Sequence, residues 1–85
     1  MVKFDYVIKD ELGLHARPAG LLVKEVKNYK SKITMEKDGK AADASRLIAI
    51  MGLGAKCGNT LKITVEGEDE AAAADAFKNF LSANL

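Results

Sequence analysis

Gly13-Leu14-His15-Ala16-Arg17-Pro18-Ala19 marks the point where the chain changes its hydrophobic period from two to 3.6 residues. Ahead of it, Val2, Phe4, Tyr6 and Ile8 alternate with Lys3, Asp5 and Lys9, the pattern of a half-buried strand in which Val7 is the one lapse. Behind it, from about Ala16 to Lys27, Ala19, Leu22, Val23 and Val26 fall on one helical face, with Lys24, Lys27 and Asn28 on the other. Pro18 suits the first turn of that helix, where a missing N–H has no intrahelical acceptor to lose. The only histidine of the chain therefore stands where a strand-exit loop becomes a helix.

The same criteria carry to the C-terminus. Ile33 and Met35 alternate with Lys32, Thr34 and Glu36, and Asp38-Gly39 supplies the positive-φ pair of a two-residue hairpin into Lys40-Ala41-Ala42. The apolar stretch from about Arg46 to Leu53 predicts a short helix bounded by Gly52 and Gly54, with Ser45 as its N-cap. Leu61, Ile63 and Val65 alternate with Lys62, Thr64 and Glu66 in the clearest strand of the chain. Acidic Glu68-Asp69-Glu70 then precedes Ala73, Phe77, Phe80 and Leu81 at helical spacing, with negative charge at the end the helix dipole favours. The order β-α-β-β-α-β-α predicts an α+β open-faced sandwich. Its mostly antiparallel four-stranded sheet is covered on one face by three helices, leaving Lys3, Asp5, Lys62, Thr64 and Glu66 on the open face.

Composition narrows the function classes. At 85 residues and 48% hydrophobic content, residues 1–85 are expected to form a single domain, too small for a deep cleft with a lid. Thirteen basic against twelve acidic residues give a net charge of +1, without the basic excess that nucleic-acid binding requires. One His and one Cys, His15 and Cys57, do not make a structural zinc site, so neither metal nor cofactor is expected. A lone cysteine excludes an internal disulfide and suits a reducing cytoplasm. The N-terminus has no signal-peptide core, and the longest apolar run, Leu47 to Ala55, is far shorter than a membrane span. A soluble cytoplasmic protein, monomeric and with no membrane insertion, is expected.

At His15 the local physics favours an anion. The first N–H groups of a helix lack intrahelical acceptors and sit at the positive end of its dipole, so the amides of Ala16 and Arg17 can bind phosphate oxygens. Arg17 adds a permanent cation with several N–H donors. Uncharged imidazole is a good nucleophile. His15 is therefore a candidate phosphoryl acceptor, against the plainer alternative of a helix cap beside an ordinary surface charge.

The heptapeptide as a whole, directly after a strand and opening a helix, resembles the active-site signature of the HPr family. These are the histidine-containing phosphocarriers of the bacterial phosphoenolpyruvate-dependent sugar phosphotransferase system. The similarity runs along the chain without gaps, through Lys37-Asp38-Gly39-Lys40, Leu47-Ile48-Ala49-Ile50-Met51-Gly52-Leu53-Gly54 and Val65-Glu66-Gly67-Glu68-Asp69-Glu70. The resemblance implies that His15 is a carrier and not an enzyme's catalyst. It would accept a phosphoryl group on Nδ1 from enzyme I and pass it to enzyme IIA components, with Arg17 stabilising the group in transfer.

Partners must reach His15. The run Leu47-Ile48-Ile50-Met51-Leu53 holds more apolar side chains than one face of a short helix can bury, which predicts an exposed patch. The resemblance places Leu47, Ile48 and Met51 in that patch, with Gly20, Leu21, Lys24 and Lys27 beside it and the lysines steering acidic partners. The chain departs from the family pattern once. Arg46 stands where many members carry a regulatory serine, and Ser45 lies one residue earlier, where its reading as an N-cap outweighs one as a phosphorylation site. Arg46 near a helix N-terminus also suggests an altered partner preference. A regulatory docking module acting on transcription factors or enzymes in carbon or nitrogen control is the alternative to phosphoryl transfer.

Overall fold

The computed structural model describes residues 1–85. Its elements are β1 (Val2–Val7), α1 (Ala16–Val26), β2 (Lys32–Lys37), β3 (Lys40–Asp43), α2 (Leu47–Met51), β4 (Thr60–Glu66) and α3 (Glu70–Asn84). The four strands form one sheet in the order β1-β4-β2-β3, and every neighbouring pair is antiparallel. This is the open-faced sandwich expected, and the strand order is new information.

Alternation explains which face is covered. Leu61, Ile63 and Val65 of β4 are buried, and they pair on one side with Tyr6, Phe4 and Val2 of β1. On the other side Ile63 and Val65 oppose Met35 and Ile33 of β2. Ala73, Ala74, Phe77 and Leu81 of α3 and Ala19, Leu22 and Val26 of α1 close this layer into one cluster of 21 buried hydrophobic residues. The phenol of Tyr6 enters the core tail first and donates to the Leu81 carbonyl at 3.0 Å, so its hydroxyl is not left unpaired. Lys3, Asp5, Lys62 and Glu66 lie exposed on the opposite face, with Thr64 half-buried among them.

The hairpin turn is as the sequence demands. Asp38 and Gly39 both adopt positive φ, 51° and 83°, which matches a two-residue turn to the right-handed twist of β2 and β3.

Three boundaries differ from expectation. Pairing in β1 ends at Val7, although Ile8 stays buried, its N–H donating to Asn59 and its carbonyl accepting from Gly58 of the segment before β4. The short helix covers Leu47–Met51 instead of Arg46 to Leu53. Its N-cap is Arg46, which offers no side-chain cap, and Ser45 does not serve. The reason is that Ser45 is already engaged two residues back, its N–H and hydroxyl donating to Asp43 Oδ1 at 2.9 and 2.7 Å. The Arg46 carbonyl then accepts the Ile50 N–H and starts the helix.

Ser31 is the one buried polar residue of the chain, and Asp69 satisfies it. The Asp69 carboxylate, at the N-cap of α3, accepts the N–H groups of Lys30 and Ser31 at 3.0 and 2.9 Å together with the Ser31 hydroxyl. These donors, the Ser31 hydroxyl first, hold its carboxyl below the ordinary carboxylate value. A lowered folded-state value means the stabilisation is present above the ordinary range and is lost as pH falls through the lowered one. Asp69→Asn is expected to lower Tm by a few degrees at neutral pH. The gap to the parent protein should narrow as pH falls below about 4. Thermal melts across that range check this, and a gap independent of pH contradicts it.

Candidate functional site

His15 occupies the N-cap of α1 with extended backbone, φ −98° and ψ −178°, and its ring makes no cap hydrogen bond. The capping alternative for His15 thus fails at the atom that matters: its carbonyl starts the helix by accepting the Ala19 N–H at 3.0 Å, while its imidazole remains free for chemistry. The N–H groups of Ala16 and Arg17 donate to no backbone carbonyl. Pro18, the third helical residue, is buried and has no N–H to offer. Two unpaired amides thus lie beside an uncapped imidazole at the positive end of an eleven-residue helix, where the dipole favours negative charge. Arg17 is exposed alongside them and carries no ion pair.

The loop carrying His15 is held from both sides. Gly13, at φ +68°, lies so close to the segment leading into β4 that an added Cβ would stand 2.6 Å from the Ala55 carbonyl oxygen and 2.7 Å from Lys56 Cα. Leu14 is buried and donates its N–H to that same Ala55 oxygen at 3.0 Å. On the other flank, the N–H groups of Lys9 and Asp10 donate to the Leu85 oxygen at 2.6 and 2.8 Å. Asp10 then turns the chain, its side chain accepting the Leu12 N–H and its carbonyl the Gly13 N–H. That turn sets Asp10 Oδ1 4.0 Å from His15 Nε2, a carboxylate neighbour the sequence reading missed. Its only signal was the Asp-x-x-Gly spacing of a turn.

The residues expected around His15 lie on two helices that pack on each other, α1 and α2. Gly20, Leu21 and Lys24 are exposed on α1, and Lys27 is exposed at its C-cap. On α2, Leu47, Ile48 and Met51 are exposed while Ile50 and the following Leu53 are buried. The over-apolar run therefore splits into an inner and an outer set, and Ile48 is 83% exposed. Leu12, three residues before His15 in the chain, is a further exposed apolar side chain, at 73%, that was not anticipated. Ser45 is exposed but its hydroxyl is committed to Asp43. Those bonds, the side-chain one first, keep the Asp43 carboxyl below its ordinary value. Cys57 is exposed and free. No helix is long and apolar enough to cross a membrane.

Fold and site together define a class, a small open-faced α+β protein presenting an uncapped histidine at a helix N-terminus. Comparison with known proteins agrees. A family model described as "PTS HPr component phosphorylation site" matches residues 2–83. The phosphocarrier protein HPr of Borreliella burgdorferi is 46% identical over 74 residues, covering 87% of this chain and 86% of its own. The HPr-like protein Crh of Halalkalibacterium halodurans is 38% identical, covering 95% and 96%. The crystal structure of HPr from Thermoanaerobacter tengcongensis superposes with a TM-score of 0.93 at 38% identity, over 99% of this chain and 94% of that one. The chain belongs to the HPr family, the phosphocarrier proteins of the phosphotransferase system. The regulatory-module alternative is the less supported of the two.

Gly13→Ala is expected to destabilise the fold by about 2–4 kcal/mol, because the new methyl group meets backbone and the residue must keep positive φ. Urea denaturation measures it. A change within about 0.5 kcal/mol would show that the loop does not depend on this approach.

Proposed function

We propose that His15 carries the phosphoryl group. It is charged by enzyme I, for which phosphoenolpyruvate is the ultimate donor, and discharged to enzyme IIA components of sugar permeases. The observation that carries this reading is the pairing of an imidazole with no cap bond and two helix-terminal amides with no acceptor. In the transfer step the Nδ1 lone pair of His15 forms the new N–P bond. The bond between phosphorus and the donor group of enzyme I breaks, its electron pair staying with the donor. The group in flight is a spread negative charge, so positioning and electrostatic stabilisation matter more than proton transfer. The N–H groups of Ala16 and Arg17 and the Arg17 guanidinium supply it.

The docking surface is formed by Gly20, Leu21, Lys24 and Lys27 on α1 and by Leu47, Ile48 and Met51 on α2. The apolar side chains give the contact its desolvated centre, and the lysines draw acidic partners to it. The setting is the cytoplasm, which suits an exposed free thiol at Cys57. Ser45 serves as a structural partner of Asp43, its hydroxyl donating to that carboxylate.

Incubation with enzyme I and phosphoenolpyruvate is expected to yield one acid-labile phosphoryl group per chain, absent from His15→Ala. Equal labelling of His15→Ala would sink the assignment. Arg17→Ala is expected to slow transfer by about 10–100-fold, with Tm changed by no more than about 2 °C because an exposed, unpaired charge contributes little to folding. A large loss of stability would make Arg17 a structural residue.

A further inference from the structure

The docking helix α2 cannot hold itself. Five residues are too few to repay helix nucleation, its N-cap Arg46 offers no side-chain acceptor, and its last turn carries no cation of its own. Its front is tied to β3 through Asp43, whose side chain takes the Ser45 N–H and hydroxyl and whose carbonyl takes the Arg46 N–H. Its back is tied to the same hairpin by two lysines. Lys40 Nζ donates to the Gly52 carbonyl at 3.2 Å, and Lys37 Nζ to the carbonyls of Gly54 and Leu53 at 3.3 and 3.5 Å.

Lys37 and Lys40 are direct cross-strand partners on either side of the Asp38-Gly39 turn. Like charges so placed repel. The arrangement makes physical sense through its target: the carbonyl of the C-cap Gly52 and those of Leu53 and Gly54 in the turn just after α2 accept no backbone N–H, and the lysines supply the missing donors. The Lys37 side chain is only 20% exposed, and its ammonium faces both these oxygens and the carboxylate of the neighbouring Asp38, 3.7 Å away, which offsets part of the repulsion from Lys40.

We propose that Lys37 and Lys40 are positioning residues for partner recognition. They clamp the C-terminal end of α2 so that Leu47, Ile48 and Met51 are presented in a fixed arrangement. This rests on the assignment of α2 to the docking surface. A preorganised patch loses less conformational entropy on docking, so the clamp acts on affinity for the phosphoryl donor and leaves the chemistry at His15 alone. The lysines need touch no partner.

The test uses the full chain with Lys37→Gln and Lys40→Gln together, compared with the paired Lys→Arg changes. In the free protein, hydrogen exchange at the amides of Gly52, Leu53 and Gly54, which close the helix end, is expected to quicken by about tenfold in the Gln form. With enzyme I and phosphoenolpyruvate, the KM for this protein is expected to rise about three- to tenfold, with kcat within about twofold of the parent. The Arg form, which keeps charge and donors, restores both. Unchanged exchange overturns the clamp. Faster exchange with an unchanged KM overturns its role in recognition. If the double change impairs folding, Lys40→Gln alone is read by the same two measurements with the same signs. No phosphorylation of the parent protein would instead sink the assignment of His15, and the exchange rates still decide the clamp.

Discussion

Strand β4 is paired along both edges, and the rest of the molecule hangs on that placement. Its inward side chains, Leu61, Ile63 and Val65, are fully buried and meet β1 on one side and β2 on the other. A register slip of one residue would turn all three to solvent, so the hydrophobic effect fixes the register strongly. The segment that leads into β4 then inherits a fixed position, and it organises the site. Ala55 takes the Leu14 N–H, the Ala55–Lys56 backbone seats Gly13, and Asn59 and Gly58 hold Ile8. Core packing therefore reaches the backbone of His15 through a few backbone contacts.

That economy suits a carrier. A phosphoryl group passed between proteins needs an accessible acceptor, a few fixed donors and a surface that partners can approach. A site at the end of a well-packed helix provides the donors without burying the acceptor. The helix α1 is anchored by Ala19, Leu22 and Val26 in the core, which places the exposed Ala16 and Arg17 at its start. Helix α2 poses the opposite problem. Its outer side chains, Leu47, Ile48 and Met51, are apolar and exposed, so its order comes from Ile50 and Leu53 beneath it and from the hairpin at both its ends.

Much of this is written locally in the sequence. Alternation gave away β1 and β4, Pro18 and the period change marked α1, and Asp38-Gly39 set the hairpin, because each is decided by residues within one turn or strand. The outward set of the Leu47–Leu53 run was visible as an excess of apolar residues. The strand order was not legible, since alternation says which face is buried but not which strand lies beside which. Ser45 was misread as a cap because Asp43, two residues earlier, competes for its hydroxyl. The lysine contacts to α2 and the approach of Asp10 to His15 were hidden for a different reason: long-range or turn-dependent geometry creates them, and a charged residue on a hairpin reads as solvated surface until its target is placed.

The central claim is that the free amides at the start of α1 and the imidazole of His15 form one phosphoryl site. Its most direct test is NMR of the uniformly 15N-labelled protein before and after charging by enzyme I. The account predicts phosphorus bonded to Nδ1 of His15, with the largest amide shifts at Ala16 and Arg17. Phosphorus on Nε2, or amides of Ala16 and Arg17 that do not respond while others do, would contradict it.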